Sequence, residues 1–225
     1  MTQSEEATST ANPTGVQKPE DYKYPDNKRY DVLRMIPADG KVIGSIGCGP
    51  AWAEWTLVQQ GREVHGVDIS EEAIAVAKDR LTSARVVAPD ERAPFAKHSL
   101  DGLILADVIE HLPMAWDALK SFTAAVKPGG WVVISVPNMR TPLLLQFIVR
   151  GDWPERPTGI FDGTHLQVIS KRRLERWCKY AGLRIDQWYD NYGPKKYRFK
   201  LMDFLSLKLF HSWFSYQLQF RCRVL

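Results

Sequence analysis

A chain of 225 residues, 44% hydrophobic and 25% charged, can bury one large core, which excludes a disordered or fibrous protein and fits a single domain. Its net charge of +4 is unevenly spread: residues 195–225 carry seven basic residues against Asp203 alone, so the remainder is mildly acidic. The three cysteines, Cys48, Cys178 and Cys222, lie far apart and match no metal or disulfide spacing, which fits a reducing, cytoplasmic setting.

Residues 1–20 are rich in Ser, Thr, Glu and Pro without an apolar run, and read as a disordered leader to a single domain over 21–225, not as a signal peptide. Tyr22, Tyr24, Arg29 and Tyr30 precede the short apolar run Val32, Leu33 and Ile36, which ends at Pro37. That segment suits either a lid over a ligand or a plain packing helix. Val42, Ile43 and Ile46 form a strand running into Gly47-Cys48-Gly49, where the backbone can turn sharply and approach a ligand. Residues 51–60 read as a helix stopped by Gly61, and residues 62–68 as a second strand ending at Asp68, with Ile69 next to it. In a parallel sheet these two strand ends would set the glycine turn beside a carboxylate able to accept both hydroxyls of a ribose.

Ser70 is a good cap for a helix carrying Ile74, Ala77 and Leu81 on one face, with Glu71 and Glu72 in its first turn. A short strand over 85–88 precedes a loop with Pro89, Asp90 and Pro94, and residues 101–107 make the apolar run of a buried parallel strand. Pro113 can open a helix through Trp116, Leu119, Phe122 and Val126 that stops before Pro128-Gly129-Gly130, with a fifth strand over 131–136. Ser170 caps a helix bearing Leu174, Trp177, Cys178 and Ala181, which Gly182 ends; residues 183–189 read as a sixth strand. From Tyr216 to Val224, apolar and polar residues alternate with the period of a last strand. The alternation of strands and helices predicts an α/β fold with a mostly parallel, doubly wound sheet and a ligand at the carboxyl ends of its strands.

A dinucleotide site would need a third glycine after Gly47 and Gly49, and Trp52 stands in its place. The Gly-Cys-Gly turn instead resembles the first motif of class I S-adenosylmethionine-dependent methyltransferases, which usually carry a further glycine where this chain has Ala51. Asp107-Val-Ile-Glu-His-Leu112, Lys127-Pro-Gly-Gly130 and Val136-Pro-Asn138 are similar, in order and spacing, to the stretches around the fourth and fifth strands of that family. Gly151-Asp-Trp and Gly159-Ile-Phe-Asp-Gly-Thr-His-Leu166 resemble a substrate-side segment of stand-alone members linked to bacterial polysaccharide and glycolipid assembly. The resemblance implies a seven-stranded Rossmann-like sheet with an antiparallel last strand, S-adenosylmethionine as cofactor, and a small-molecule or glycan- or lipid-linked acceptor.

The chemistry of the residues assigns expected roles, although the acid that the family carries after the third strand falls at Pro89, one residue before Asp90. Gly47 and Gly49 would meet the amino-acid part of the cofactor, Asp68 the ribose, Ile69 the same pocket, Asp90 the adenine amine, and Asp107 the cleft. A hydroxyl acceptor also needs its proton removed, for which imidazole is the suited group; the candidates are His165 first and His111 second. No His-x-x-x-His, Cys-x-x-Cys or carboxylate cluster marks a metal site. The basic C-terminal segment, with Phe199, Phe204, Phe210, Trp213, Phe214 and Tyr216, suggests an anionic partner such as a phosphate-bearing substrate, a membrane surface or nucleic acid, but the favoured reading is that its aromatics pack into the core while its charges are solvated; no nucleic-acid-binding module is recognisable. The competing functions are a non-catalytic cofactor-binding protein of the same fold and a dinucleotide-dependent oxidoreductase.

Overall fold

A computed structural model of the chain describes residues 29–156, 159–192, 196–205, 207, 213 and 215–225. The leader expected over 1–20, and Tyr22 and Tyr24, lie outside the described residues. Seven strands form one sheet: β1 (Val42–Ile46), β2 (Glu63–Asp68), β3 (Ser83–Val86), β4 (Leu100–Ala106), β5 (Val126–Pro137), β6 (Leu183–Asn191) and β7 (Gln217–Val224). Their order is β3-β2-β1-β4-β5-β7-β6. Pairings are parallel from β3 to β5, and β7 runs antiparallel to both β5 and β6. The order reverses between β1 and β4, so a cleft opens at the carboxyl ends of those two strands.

Helices cover both faces of the sheet. On one side Ile43, Val64 and Ile104 pack with Leu57 of α2 (Trp52–Gln59) and with Ile74 and Ala77 of α3 (Glu71–Ala77). On the other, Leu103, Leu105 and Ile134 pack with Leu119 and Phe122 of α4 (Ala115–Thr123) and with Leu174 and Trp177 of α6 (Lys171–Tyr180). Burying each such side chain contributes about 1.5–3 kcal/mol, so these two layers supply most of the drive to fold. The serine caps behave as expected: Ser70 Oγ accepts from Ala73 N at 3.1 Å and Ser170 Oγ from Arg173 N at 3.4 Å.

Several details depart from the sequence expectations; β3 runs over Ser83–Val86, two residues before the span expected. The helix assigned to Pro113 begins two residues later, after a 3-10 turn over Ile109–His111. Lys127-Pro-Gly-Gly130 lies inside β5 as an irregularity: Val126 pairs with Leu100 and Trp131 with Gly102. Proline has no ladder donor, so it is tolerated only where pairing is interrupted. A helix absent from the sequence account, α5 (Pro142–Val149), follows β5; Thr141 Oγ1 accepts from Leu144 N at 3.3 Å. Another, α7 (Lys196–Leu205), follows β6.

The described part of the segment before β1, from Arg29 on, packs on the core. Its helix, α1 (Tyr30–Leu33), sends Val32 into the core, and Met35 follows it there. Arg29, at its start, reaches the cleft: its guanidinium donates to Asp107 at the end of β4 and to Asp31.

Candidate active site

The turn after β1 is held by the neighbouring strand. Gly47 N and Cys48 N both donate to Val67 O, at 2.8 and 3.1 Å. Gly47 and Gly49 have φ of +68° and +51°, the left-handed region in which a Cβ is costly. Ala51, where the resembling family has glycine, also sits at φ +61°, so the backbone path is kept despite the methyl group. At Gly47 there is no such latitude, because a Cβ would collide with Val108 Cγ2 in the turn after β4. Gly47→Ala is therefore expected to force β1 and β4 apart at the cleft: a melting temperature lowered by several degrees, with ligand affinity reduced at least tenfold, checked by thermal melts and calorimetry.

Asp68, 3% exposed at the end of β2, is clamped across the turn: Oδ2 accepts from Gly49 N at 2.8 Å and Oδ1 from Ser70 N at 2.9 Å. Ile69, the next residue, is exposed. Asp90 is exposed in the loop after β3, where Glu91 N donates to Ala88 O and the Glu91 carboxylate pairs with Arg85 at 2.6 Å. Asp107, at φ +55°, also accepts from Gln217 Nε2 at 3.0 Å. From there polar groups continue between β5 and β7: Gln219, fully buried, donates to Asp31 Oδ2 at 2.6 Å and to Ser135 Oγ at 3.2 Å. The Arg29 guanidinium loses hydration by burial, but Asp107 and Asp31 more than compensate and raise its pKa. The start of α1 is thereby tied to three strand ends at the cleft.

A second group forms where the 3-10 turn meets the loop before α6. Leu166 N and Gln167 N donate to Glu110 O, which brings His165 beside His111 with ring centroids 4.8 Å apart. His165 Nδ1 lies 3.2 Å from Ile160 O, and since a carbonyl only accepts, Nδ1 carries the hydrogen and Nε2 of the neutral ring is the basic nitrogen. His111 Nδ1 is 3.2 Å from Thr164 O and 3.0 Å from Thr164 Oγ1, whose own proton goes to Asp162 Oδ1 at 2.6 Å; this ring is pinned in the same tautomer. Burial, then the adjacent His165, lowers the pKa of His111 and keeps it neutral.

Glu110 lies between them in sequence and is 1% exposed, with neither carboxylate oxygen hydrogen-bonded. One ligand atom from each of Glu110, His111 and His165 falls within 4.8 Å of the other two, a grouping that could hold a divalent cation. Sequence spacing missed it because the third member stands 54 residues from the second. Burial, then repulsion from Asp107, pushes the Glu110 carboxyl well above its ordinary range. A raised carboxyl pKa favours the fold below the unfolded value and loses that contribution as pH rises through the folded value. Glu110→Gln should therefore raise the melting temperature of chelator-treated protein by several degrees at pH 8 and much less at pH 5; equal shifts at both would show the carboxyl to be compensated.

Comparisons with known proteins show the family and the fold. Residues 22–187 match the model of a methyltransferase domain family. The ubiquinone biosynthesis O-methyltransferase of Coxiella burnetii is 29% identical over 198 residues, covering 84% of this chain and 83% of that protein. An S-adenosylmethionine-dependent methyltransferase from Mesorhizobium loti superposes with a TM-score of 0.62 at 16% identity, over 88% of this chain and 98% of its own. A geranyl diphosphate methyltransferase, solved with geranyl diphosphate and sinefungin, gives 0.62 at 14% identity, over 87% and 77%. The chain belongs to the methyltransferase domain family. By family and fold it is an S-adenosylmethionine-dependent methyltransferase.

Proposed function

We propose that the protein transfers the methyl group of S-adenosylmethionine to a hydroxyl of a small-molecule or glycan- or lipid-linked acceptor. The observation that carries the O-methyl reading is the orientation of His165, whose Nδ1 is committed to Ile160 O and whose Nε2 is left as the basic nitrogen. Its support from relatives is that the curated protein named above is an O-methyltransferase.

The cleft suits the cofactor by its donor set. A carboxylate fixed by two backbone amides at the end of β2 is an acceptor for ribose hydroxyls, and exposed Ile69 beside it offers an apolar face for a base. Gly47 and Gly49 would line the amino-acid end, Asp107 the opposite wall, and Asp90 would accept from the adenine amine. When bound, S-adenosylmethionine supplies a methyl group already activated by a sulfonium. The chain's own work is then to position the acceptor in line and take its proton at His165 Nε2, with His111 beside it.

Calorimetry with S-adenosylmethionine and with a nicotinamide dinucleotide, followed by turnover on a panel of phenols, sugars and lipid-linked alcohols, tests this. Binding of S-adenosylmethionine with O-methylation of any panel member supports it. Preference for the dinucleotide would make the protein an oxidoreductase, and binding without turnover a cofactor-binding scaffold.

A further inference from the structure

The helices α5 and α7 are amphipathic in the inverted sense, with their apolar stripes turned to solvent. On α5, Leu145, Ile148 and Val149 stand three and four residues apart on one side, all exposed, Val149 at 77%. Leu144 is buried and packs with Met139 and Phe161. On α7, Tyr197, Leu201, Phe204 and Leu205 recur at i, i+4, i+7 and i+8, with Phe204 73% exposed, while Asp203 is buried against the Tyr192 hydroxyl. The expectation that the aromatics of this segment pack into the core therefore fails for Phe204, while Phe210 and Phe214 lie outside the described residues.

The two stripes belong to one corner of the molecule. Pro137 at the end of β5 and Asn191 at the end of β6 both register with Gln217 of β7, so α5 and α7 leave the sheet at the same edge. Gln217 also binds Asp107, which places that edge beside the cleft.

We propose that this corner docks on an anionic lipid bilayer, with the α5 and α7 stripes entering the headgroup layer. The charge around the stripes selects that occupant. Lys200 is exposed on α7 itself, Arg150 follows α5, and Lys195, Lys196 and Arg198 crowd the start of α7 in sequence. Lysine is depleted in protein–protein interfaces but favoured beside anionic headgroups. Trp153, half exposed just past α5, is a side chain that prefers the boundary between headgroups and acyl chains. Among the described residues no helix is long and apolar enough to cross a membrane, so the contact is peripheral. Its use rests on the methyl-transfer reading: docking would turn the acceptor side of the cleft toward the bilayer.

The test is sedimentation of the full chain with vesicles of phosphatidylcholine alone and of phosphatidylcholine mixed with phosphatidylglycerol. The chain is expected in the pellet with the mixed vesicles, less so as salt rises, and in the supernatant with phosphatidylcholine. The pairs Ile148→Glu with Val149→Glu, and Leu201→Glu with Phe204→Glu, should each lower partitioning at least about tenfold. Lys200→Glu should lower it by a smaller factor. S-adenosylmethionine binding, measured without vesicles, should be unchanged in all of them because the substituted side chains are exposed and are not among the residues assigned to the cofactor. Failure to sediment with either vesicle, or partitioning indifferent to the substitutions, overturns the proposal. So does light scattering in which the native chain is a dimer that the substitutions make monomeric, which would assign the stripes to self-association. Loss of S-adenosylmethionine binding by the native chain would strike the functional reading and leave the vesicle result standing.

Discussion

Asp68→Ala is expected to lower S-adenosylmethionine affinity by well over tenfold and to cost stability as well. The carboxylate serves two ends: it would accept the ribose hydroxyls, and it already accepts from Gly49 N and Ser70 N. Hydrogen bonds to a charged acceptor contribute about 1.5–3 kcal/mol each, and about 1.4 kcal/mol is a factor of ten in affinity. Loss of the side chain also strips the acceptor from a buried Gly49 amide, at about 1–3 kcal/mol, which for a domain of this size lowers the melting temperature by several degrees. Asp68→Asn should fall between, because its amide oxygen can serve one of the two backbone donors while its NH2 opposes the other. Calorimetry below the melting transition separates the two effects. Unchanged affinity in the folded Asp68→Ala protein would remove the ribose from this strand end, while a melting shift without an affinity change would leave Asp68 a turn clamp.

What could be read from the sequence was what local patterns determine. β1, β4 and β5 are legible as apolar runs, because a strand buried on both faces has little polar content to confuse it, and β7 is legible by its two-residue alternation. Ser70 and Ser170 were legible as caps because capping depends on one hydroxyl three residues from its donor. Gly47, Gly49 and Asp68 were legible as a cleft because a parallel sheet aligns strand ends. α5 was missed because apolar residues surround it, Leu144 turned inward and Leu145, Ile148 and Val149 outward, so no period stands out; α7 was missed because Tyr197, Leu201, Phe204 and Leu205 face solvent while Asp203 is buried. Gln219 read as the solvent side of an alternating strand, yet it is fully buried, since the α1 segment lies over that face and meets it with Asp31. The pairing of His111 with His165 depends on two backbone hydrogen bonds to Glu110 O across more than fifty residues, and no local signal contains that.

That pairing decides the last expected result. If His165 Nε2 takes the acceptor's proton, His165→Ala should cut turnover by about 10²–10⁴-fold while S-adenosylmethionine affinity stays within twofold, because the ring bonds to Ile160 O and packs on His111, while the Asp68 carboxylate is held by Gly49 N and Ser70 N. The native rate should fall as pH is lowered, since an imidazolium has no lone pair to offer, and the variant should lose that acid limb. His111→Ala provides the control. Its ring is pinned through Nδ1 to Thr164, and burial keeps it neutral, so its loss should misplace His165 and lower turnover without removing the acid limb. A metal role predicts something else: with Glu110, His111 and His165 as ligands, a chelator would abolish turnover, a divalent cation would restore it, and all three single substitutions would weaken that restoration together. Chelator-resistant activity with an acid limb carried by His165 alone supports the general base. Normal turnover in His165→Ala would instead mean that an already acidic phenol, or an amine, is the acceptor and that the ring only orders the loop before α6.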